Sequence, residues 1–327
     1  MLNRRQLLIV GAGVLTSSAA LQEAVLAADE STPIYGGWIK VPGAGRYAQR
    51  FGSVAVPLRG TSDGRASLLW PYYEKAIGGP VKPFAQSIGD CCGEAGVMGA
   101  QFVSGIQIAH KRRPEEYMGP FSVEYTYAAS RVEVGKGRIR RGDGSNGEWT
   151  SESMKRYGLL RRAKYGKYDL TKYNGELGRA WGRSGVGVPD ELEPIGKEHP
   201  IKTAALVTTW EQAADSISNG YPVLICSSVG YSGRFDRDGF QRHNQVWYHA
   251  MLLIGVDRRK GKRQGGCILN SWGPSWSENS VPHELGTPSG AFWVDSWAIH
   301  KALQEQDSYA LSEFVGFRKQ SLDYNLY

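Results

Sequence analysis

Ile268-Leu269-Asn270-Ser271-Trp272-Gly273-Pro274-Ser275-Trp276 puts a polar amide at the end of an apolar strand and follows it at once with tryptophan. A side-chain amide in such a place needs a hydrogen-bond partner. An imidazole N–H from a neighbouring strand would supply one, and aromatic cover from Trp272 would keep water off the bond. The chain offers that imidazole upstream, in Trp247-Tyr248-His249-Ala250-Met251-Leu252-Leu253. A ring held in one orientation by an amide is suited to moving a proton to and from a nucleophile.

The nucleophile is sought among four cysteines: Cys91, Cys92, Cys226 and Cys267. Cys226 and Cys267 sit inside apolar strands and read as buried, inert thiols. Cys91 and Cys92 stand before a run whose apolar residues, Ala95, Met98, Phe102 and Ile106, recur at spacings of three and four. That spacing predicts a helix from Cys92 to about His110. Free amides and the helix dipole at its first turn favour a thiolate. Gly93, Gly96, Gly99 and Gly105 would each cost this helix about 1 kcal/mol relative to alanine. Such a cost is accepted where another backbone must come close, so the helix is predicted to lie buried at an interface between two lobes. Gln86 lies six residues before Cys92. Its side-chain amide, with the backbone N–H of the cysteine, would make two donors for the oxygen of an attacked carbonyl.

Gln86, Cys92, His249 and Asn270 occur in the order used by papain-like cysteine peptidases, and the flanks resemble that family too. Pro80-Val81-Lys82-Pro83-Phe84-Ala85-Gln86 is similar to its approach to the oxyanion glutamine. His249-Ala250 before an apolar strand resembles its histidine motif, and Asn270-Ser271-Trp272-Gly273 with Trp276 its asparagine motif. The resemblance spans about residues 68 to 294. It implies an α+β, two-lobed fold: a helical N-terminal lobe, a β-rich, barrel-like C-terminal lobe, and an active site in the cleft between them. By family position it also implies that Gly144, Ser145, Trp247 and Trp272 line the substrate cleft, and that no metal or cofactor is needed. The implied chemistry is hydrolysis of a peptide or protein substrate through a thioester, with Cys92 attacking, His249 as base and then acid, and Asn270 orienting the ring. An isopeptidase or acyltransferase, and an inactive peptide-binding pseudo-peptidase, share the same residues.

The nucleophile flank departs from the family. Where the family reads Cys-Gly-Ser-Cys-Trp, this chain has Gly89-Asp90-Cys91-Cys92-Gly93. The usual disulfide cysteine is absent, the tryptophan is glycine, and two adjacent cysteines compete. The distance from Gln86 favours Cys92 and leaves Cys91 without a named role. The long inhibitory propeptide of many family members has no room here.

The rest of the chain frames this domain. Arg4-Arg5, the apolar Leu7–Leu21 and the small residues around Ala27 have the layout of an export signal over residues 1–27, similar to the twin-arginine type. That predicts an exported, periplasmic or secreted protein with no stable membrane span in the mature chain. Residues 28–67, rich in Gly, Pro, Ser and Arg, read as an extension or short pro-segment on the surface. The peptidase domain follows over 68–327, with a helical lobe to about 200 and a β lobe from about 201. Further helices are predicted from Ser122, over Thr150–Tyr157, and from the Thr209-Trp210-Glu211-Gln212 capping box to Asn219. Strands are predicted over 222–228, 247–256, 266–272 and 290–294, with a hairpin turn at Arg258–Gly266.

The formal net charge of +7 names no partner. Its two short clusters, Lys136–Arg141 and Arg258–Arg263, lack interleaved aromatics and read as solvated loops, so no nucleic-acid partner is expected. Ile9-Val10-Gly11-Ala12-Gly13 lacks the third glycine and the strand–turn–helix setting of a dinucleotide fingerprint. Nothing in the sequence sets the oligomeric state.

Overall fold

The computed structural model describes residues 36–110, 119–277, 281–320 and 322. The predicted export signal and Pro114 lie outside the described residues.

Helices dominate the first half. They include α1 (Trp70–Ile77), α2 (Cys91–Ala109), α3 (Val123–Ala128), α4 (Gly147–Arg156) and α5 (Gly175–Trp181). Side chains close the open amides at three of their starts. Ser122 Oγ accepts from Tyr125 N, Asn146 Oδ1 from Trp149 N, and Asn174 Oδ1 from Leu177 N. Beyond residue 200 lie α6 (Trp210–Ser218) and α7 (Ser296–Leu303). The predicted capping box at α6 forms with a one-residue shift: Thr209 Oγ1 accepts from Gln212 N, while Gln212 Oε1 reaches back to Thr208 N.

The strands are β1 (Ala66–Leu68), β2 (Lys164–Tyr165), β3 (Tyr168–Asp169), β4 (Thr203–Leu206), β5 (Val223–Phe235), β6 (Phe240–Asp257), β7 (Gly265–Leu269), β8 (Ala291–Asp295) and β9 (Tyr309–Ser312). Apart from the small β2–β3 hairpin they form one sheet in the order β4-β9-β5-β6-β7-β8, with β1 on β6. The long strand β6 is antiparallel to β7 at one end and parallel to β8 at the other, and β7 pairs with β8. Three strands that each pair with the other two curl the sheet, which is the barrel-like part of the second lobe. β1 and the helical turn holding Phe51, which meets Phe317 edge to face, pack into the body.

Helix α2 lies between the lobes. Its Val97, Ala100 and Val103 share a core with Val123, Met154, Leu206 and Leu311. Its glycines mark close approaches. A Cβ on Gly96 would fall 2.7 Å from Thr150 Cγ2, and one on Gly99 would fall 2.7 Å from Leu311 Cδ1. One neighbour belongs to the helical lobe and the other to the sheet, so the helix is thinned on both sides. In the Arg258–Arg263 turn, Arg258 pairs with Asp63, Arg259 with Asp257, Lys262 with Glu284, and Arg263 with Asp236 and Asp295. Carboxylates answer these charges within the chain.

Candidate active site

His249 lies on β6 opposite Ser227 of β5, just where the pairing slips between Ser227 and Val229. The residue before it, Tyr248, has φ 48°, a strained conformation for a non-glycine residue. The irregularity turns the imidazole toward β7. There its Nε2 meets Asn270 Oδ1 at 2.8 Å. Trp272 stacks on the ring at 4.6 Å, and Trp247 and Trp276 pack around Trp272 at 4.8 and 4.6 Å. The amide–imidazole pair and its aromatic cover form as the sequence predicts. The other ring nitrogen, Nδ1, has no hydrogen-bond partner of normal length among the described residues.

Gln86 crosses between the lobes. Its backbone N–H donates to Ser271 O at 2.9 Å, its Oε1 accepts from Ser271 Oγ at 2.5 Å, and its Nε2 donates to Ile88 O at 2.8 Å. Cys91 is the first residue of α2, and its backbone N–H is among the four that a helix leaves without an internal acceptor.

The two cysteines diverge. Successive residues on a helix point about 100° apart, so only one can face the histidine. Cys91 Sγ accepts from Ala250 N, next to His249, at 3.3 Å. Burial pushes its thiol well up, Cys92 adds to this, and His249 offsets only a small part of the rise. Cys92 is turned to the other side, toward Cys226 and Asp307, with its sulfur 4.0 Å from Gly37 O. Its thiol is also pushed well up, by burial and then by Cys226. The sequence spacing favours Cys92, but the structure sets Cys91 against His249. Counting from Gln86 assumes the family's loop length, and here the helix begins one residue earlier.

Gly144 and Ser145 form the opposite wall. Gly144 N–H donates to Tyr127 Oη at 3.0 Å, and Arg131 donates to the Gly144 carbonyl. Ser145 Oγ shares a 2.8 Å bond with Ser130 Oγ. Between this wall and Tyr248 runs the chain's own segment Gly37-Trp38-Ile39. Gly37 N and Trp38 N donate to Tyr248 O at 3.1 and 3.0 Å, Ile39 N to Ser145 O at 2.8 Å, and Ser145 N to Gly37 O at 2.8 Å. Trp38 pairs with Ser145 as a parallel bridge. The segment packs against Cys91 and Cys92, and these and His249 are at most 1% exposed. Part of the predicted extension lies in the cleft rather than on the surface.

Three residues at the site carry no sequence motif. Trp38 Nε1 donates to Asp307 Oδ2 at 2.7 Å, and the same carboxylate accepts from Gly147 N and Glu148 N at 2.7 and 2.8 Å. Burial pushes Asp307 up to about 7 against these bonds. Glu94 lies near the start of α2 and lines a small cavity with Asn270 and Ser271. Its carboxyl, fully buried with neither oxygen hydrogen-bonded, is pushed well up by burial and then by Asp90. Among the described residues no group of three or more His, Cys, Asp or Glu side chains is arranged to hold a metal ion. No described helix is long and apolar enough to cross a membrane.

No family model and no curated protein matches this sequence. Solved structures do match. Xylellain, a cysteine protease from Xylella fastidiosa, aligns over 86% of this chain and 97% of its own, with TM-score 0.56 and 16% identity. Digestive procathepsin L2 and procathepsin L 3 from the larval midgut of Tenebrio molitor align over 88% and 85% of this chain and 81% and 76% of theirs. Their TM-scores are 0.52 and 0.51, both at 13% identity. The chain therefore has the papain-like cysteine protease fold, the α+β architecture that the sequence predicts.

Proposed function

We propose that this chain is a cysteine peptidase that hydrolyses peptide bonds through a thioester on Cys91. The observation that carries this reading is the environment of His249. One ring nitrogen is fixed to Asn270 Oδ1, and the Cys91 sulfur, at the first turn of a 19-residue helix, lies 3.3 Å from the backbone N–H of the next residue, Ala250. In the reaction His249 takes the thiol proton and the Cys91 sulfur attacks the substrate carbonyl. The Cys91 backbone N–H and the Gln86 side-chain amide receive the developing oxyanion. His249 then gives its proton to the leaving amine, and water attacks the thioester with His249 as base. Asn270 holds the ring throughout.

Residues 37–39 must leave the cleft before a substrate enters, so the full chain is latent in this form. The test is a peptidase assay on the full chain carrying Trp38→Ala, compared with the same chain bearing Cys91→Ala or Cys92→Ala. Loss of turnover with Cys91→Ala and its retention with Cys92→Ala is expected. The reverse pattern would return the nucleophile to Cys92, and full turnover in both would end the thiol mechanism. Export is proposed from Arg4-Arg5 and the apolar run behind them. Substituting both arginines by lysine should keep the protein in the cytoplasmic fraction if that signal is read.

A further inference from the structure

One peptide unit in the loop before α2 ties the Gln86 side chain to an ion pair. The carbonyl of Ile88 accepts from Gln86 Nε2 at 2.8 Å and from Asp90 N at 2.9 Å. The N–H of Gly89 is the other end of the same planar unit, and it donates to Asp143 Oδ2 at 3.2 Å. The two ends of a trans peptide point in opposite directions, so fixing one fixes the other. Asp143 is in turn gripped by Arg179 of α5, whose Nε donates to Oδ1 at 3.0 Å and Nη2 to Oδ2 at 2.9 Å. Glu176 takes the remaining guanidinium nitrogen. The same short stretch of chain rests on the loop at a second place. Tyr173 Oη accepts from Ser87 N at 3.2 Å and donates to Asp90 Oδ2 at 2.8 Å, and a Cβ on Gly175 would fall 2.4 Å from Ser87 Oγ. That stretch is itself anchored on α3, where Asn174 N donates to the buried Glu124 Oε1 at 2.6 Å.

We propose that Asp143 and Arg179 are positioning residues for the carbonyl-binding side of the site: they fix the Ile88–Gly89 peptide, and that peptide aims the Gln86 side-chain amide. The inference rests on the peptidase reading, which gives the Gln86 amide its work. A peptide beside a glycine turns over easily, because glycine accepts both signs of φ. With Asp143 in place, a reversed unit would set its carbonyl oxygen against the carboxylate and its N–H against the Gln86 donor. Two like contacts would replace two bonds. Burial raises Asp143, but Arg179 outweighs it and holds the carboxyl below the ordinary value, so the acceptor is ionised near neutrality. A charged acceptor makes the stronger bond, and the forked guanidinium fixes where that acceptor sits. A side chain at position 89 would end the arrangement, since its Cβ would fall 2.8 Å from Asp143 Cβ.

Two measurements on the full chain test this. The first is amide exchange in the unaltered chain and in Asp143→Ala. Exchange at Gly89 is expected to quicken about tenfold or more in the variant, while Val97 to Ile106 of α2 keep their protection. Unchanged exchange at Gly89 overturns the clamp. The second is turnover of a quenched peptide in the Trp38→Ala background. There Asp143→Ala should lower kcat about 10- to 10²-fold with little change in KM. With Gln86→Ala already present, the same substitution should cost less than about threefold, since the amide it aims is gone. A full, additive loss in that case, or no loss with Gln86 in place, overturns the positioning role. Alkylation of Cys91 by iodoacetamide forms no oxyanion, so in the same background Asp143→Ala should leave its rate within about twofold. A fall parallel to that in kcat would put the effect at the thiol and overturn the role assigned through Gln86. Faster exchange at Gly89 with no turnover in any variant, the Trp38→Ala parent included, leaves the clamp standing and counts against the peptidase reading alone. Should Asp143→Ala not fold, Arg179→Met serves. It leaves the acceptor in place but unguided, and should move exchange and kcat in the same directions; no change in either overturns the role of the ion pair.

Discussion

A single step along a helix decides which sulfur can work. Cys91 and Cys92 share burial and sequence, but their side chains point to different neighbours: one to Ala250 and His249, the other to Cys226. Cys91→Ala should therefore lower kcat by about 10⁴-fold or more. Cys92→Ala should keep turnover within about tenfold, its cost falling mainly on packing. Gln86→Ala should cost about 10²–10³ in kcat with little change in KM, as expected for a donor that matters most when the oxygen is charged. Kinetics with one quenched peptide in the Trp38→Ala background checks all three. Equal losses for both cysteines would contradict the assignment. At this scale the amide and the imidazole were legible because each is a polar side chain set against an apolar run, and Gln86 because of its distance before the cysteine pair and the resemblance of its flank. The choice of sulfur was not, since it depends on where the helix starts to within one residue. Asp307 and Trp38 were illegible for another reason: they lie far apart in sequence and meet only through the fold.

Helix α2 shows how an element can accept poor local propensity for the sake of its neighbours. Gly96 faces Thr150 and Met154 of α4, and Thr150 is a stiff, buried, β-branched side chain. Gly96→Ala would improve helix propensity by about 1 kcal/mol. It would also place a methyl 2.7 Å from Thr150 Cγ2. Overpacking of this kind costs about 1–3 kcal/mol, so the net change should be destabilising or close to neutral. Gly96→Ala combined with Thr150→Ser, which removes the opposing methyl, should recover stability. Chemical denaturation of the two variants checks this, and a clear gain for Gly96→Ala alone would contradict the packing. The glycines and the apolar stripe made α2 readable, and likewise the apolar parts of β5 to β8. The outer arms of β5 and β6 carry Gly230-Tyr231-Ser232-Gly233-Arg234 and Gln241-Arg242-His243-Asn244-Gln245, whose polar character hides their pairing. Short β4 and β9 were missed because four residues are too few to display a period.

For the molecule as a whole, three buried carboxyls set how stability depends on pH. Burial pushes Asp90 up to about 8 and Asp307 up to about 7, and raises Glu94 well above the ordinary glutamate value. In the unfolded chain each would lose its proton near pH 4. Between that pH and the folded values, the folded state binds more protons than the unfolded one, so stability falls as pH rises. Asp143 and Asp236 act in the opposite sense. Burial raises Asp143 and Asp236, but the guanidinium groups of Arg179 and Arg263 outweigh it and hold both below the ordinary value. Their contribution is present above about pH 4 and is lost as the solution becomes more acidic. The stability maximum should lie near pH 4–5, below neutrality, although the net charge is positive. Each raised carboxyl contributes a slope of up to about 1.4 kcal/mol per pH unit within its window. Urea unfolding midpoints measured from pH 4 to 9 should fall steadily up to about pH 8 and then level. Asp90→Asn should flatten that fall, because asparagine carries no proton to lose, while Tyr173, which donates to Asp90 Oδ2 at 2.8 Å, keeps an acceptor. A midpoint that rises from pH 5 to 8 would mean that these carboxyls are ionised in the folded protein, with water or a cation reaching Asp90 and Glu94.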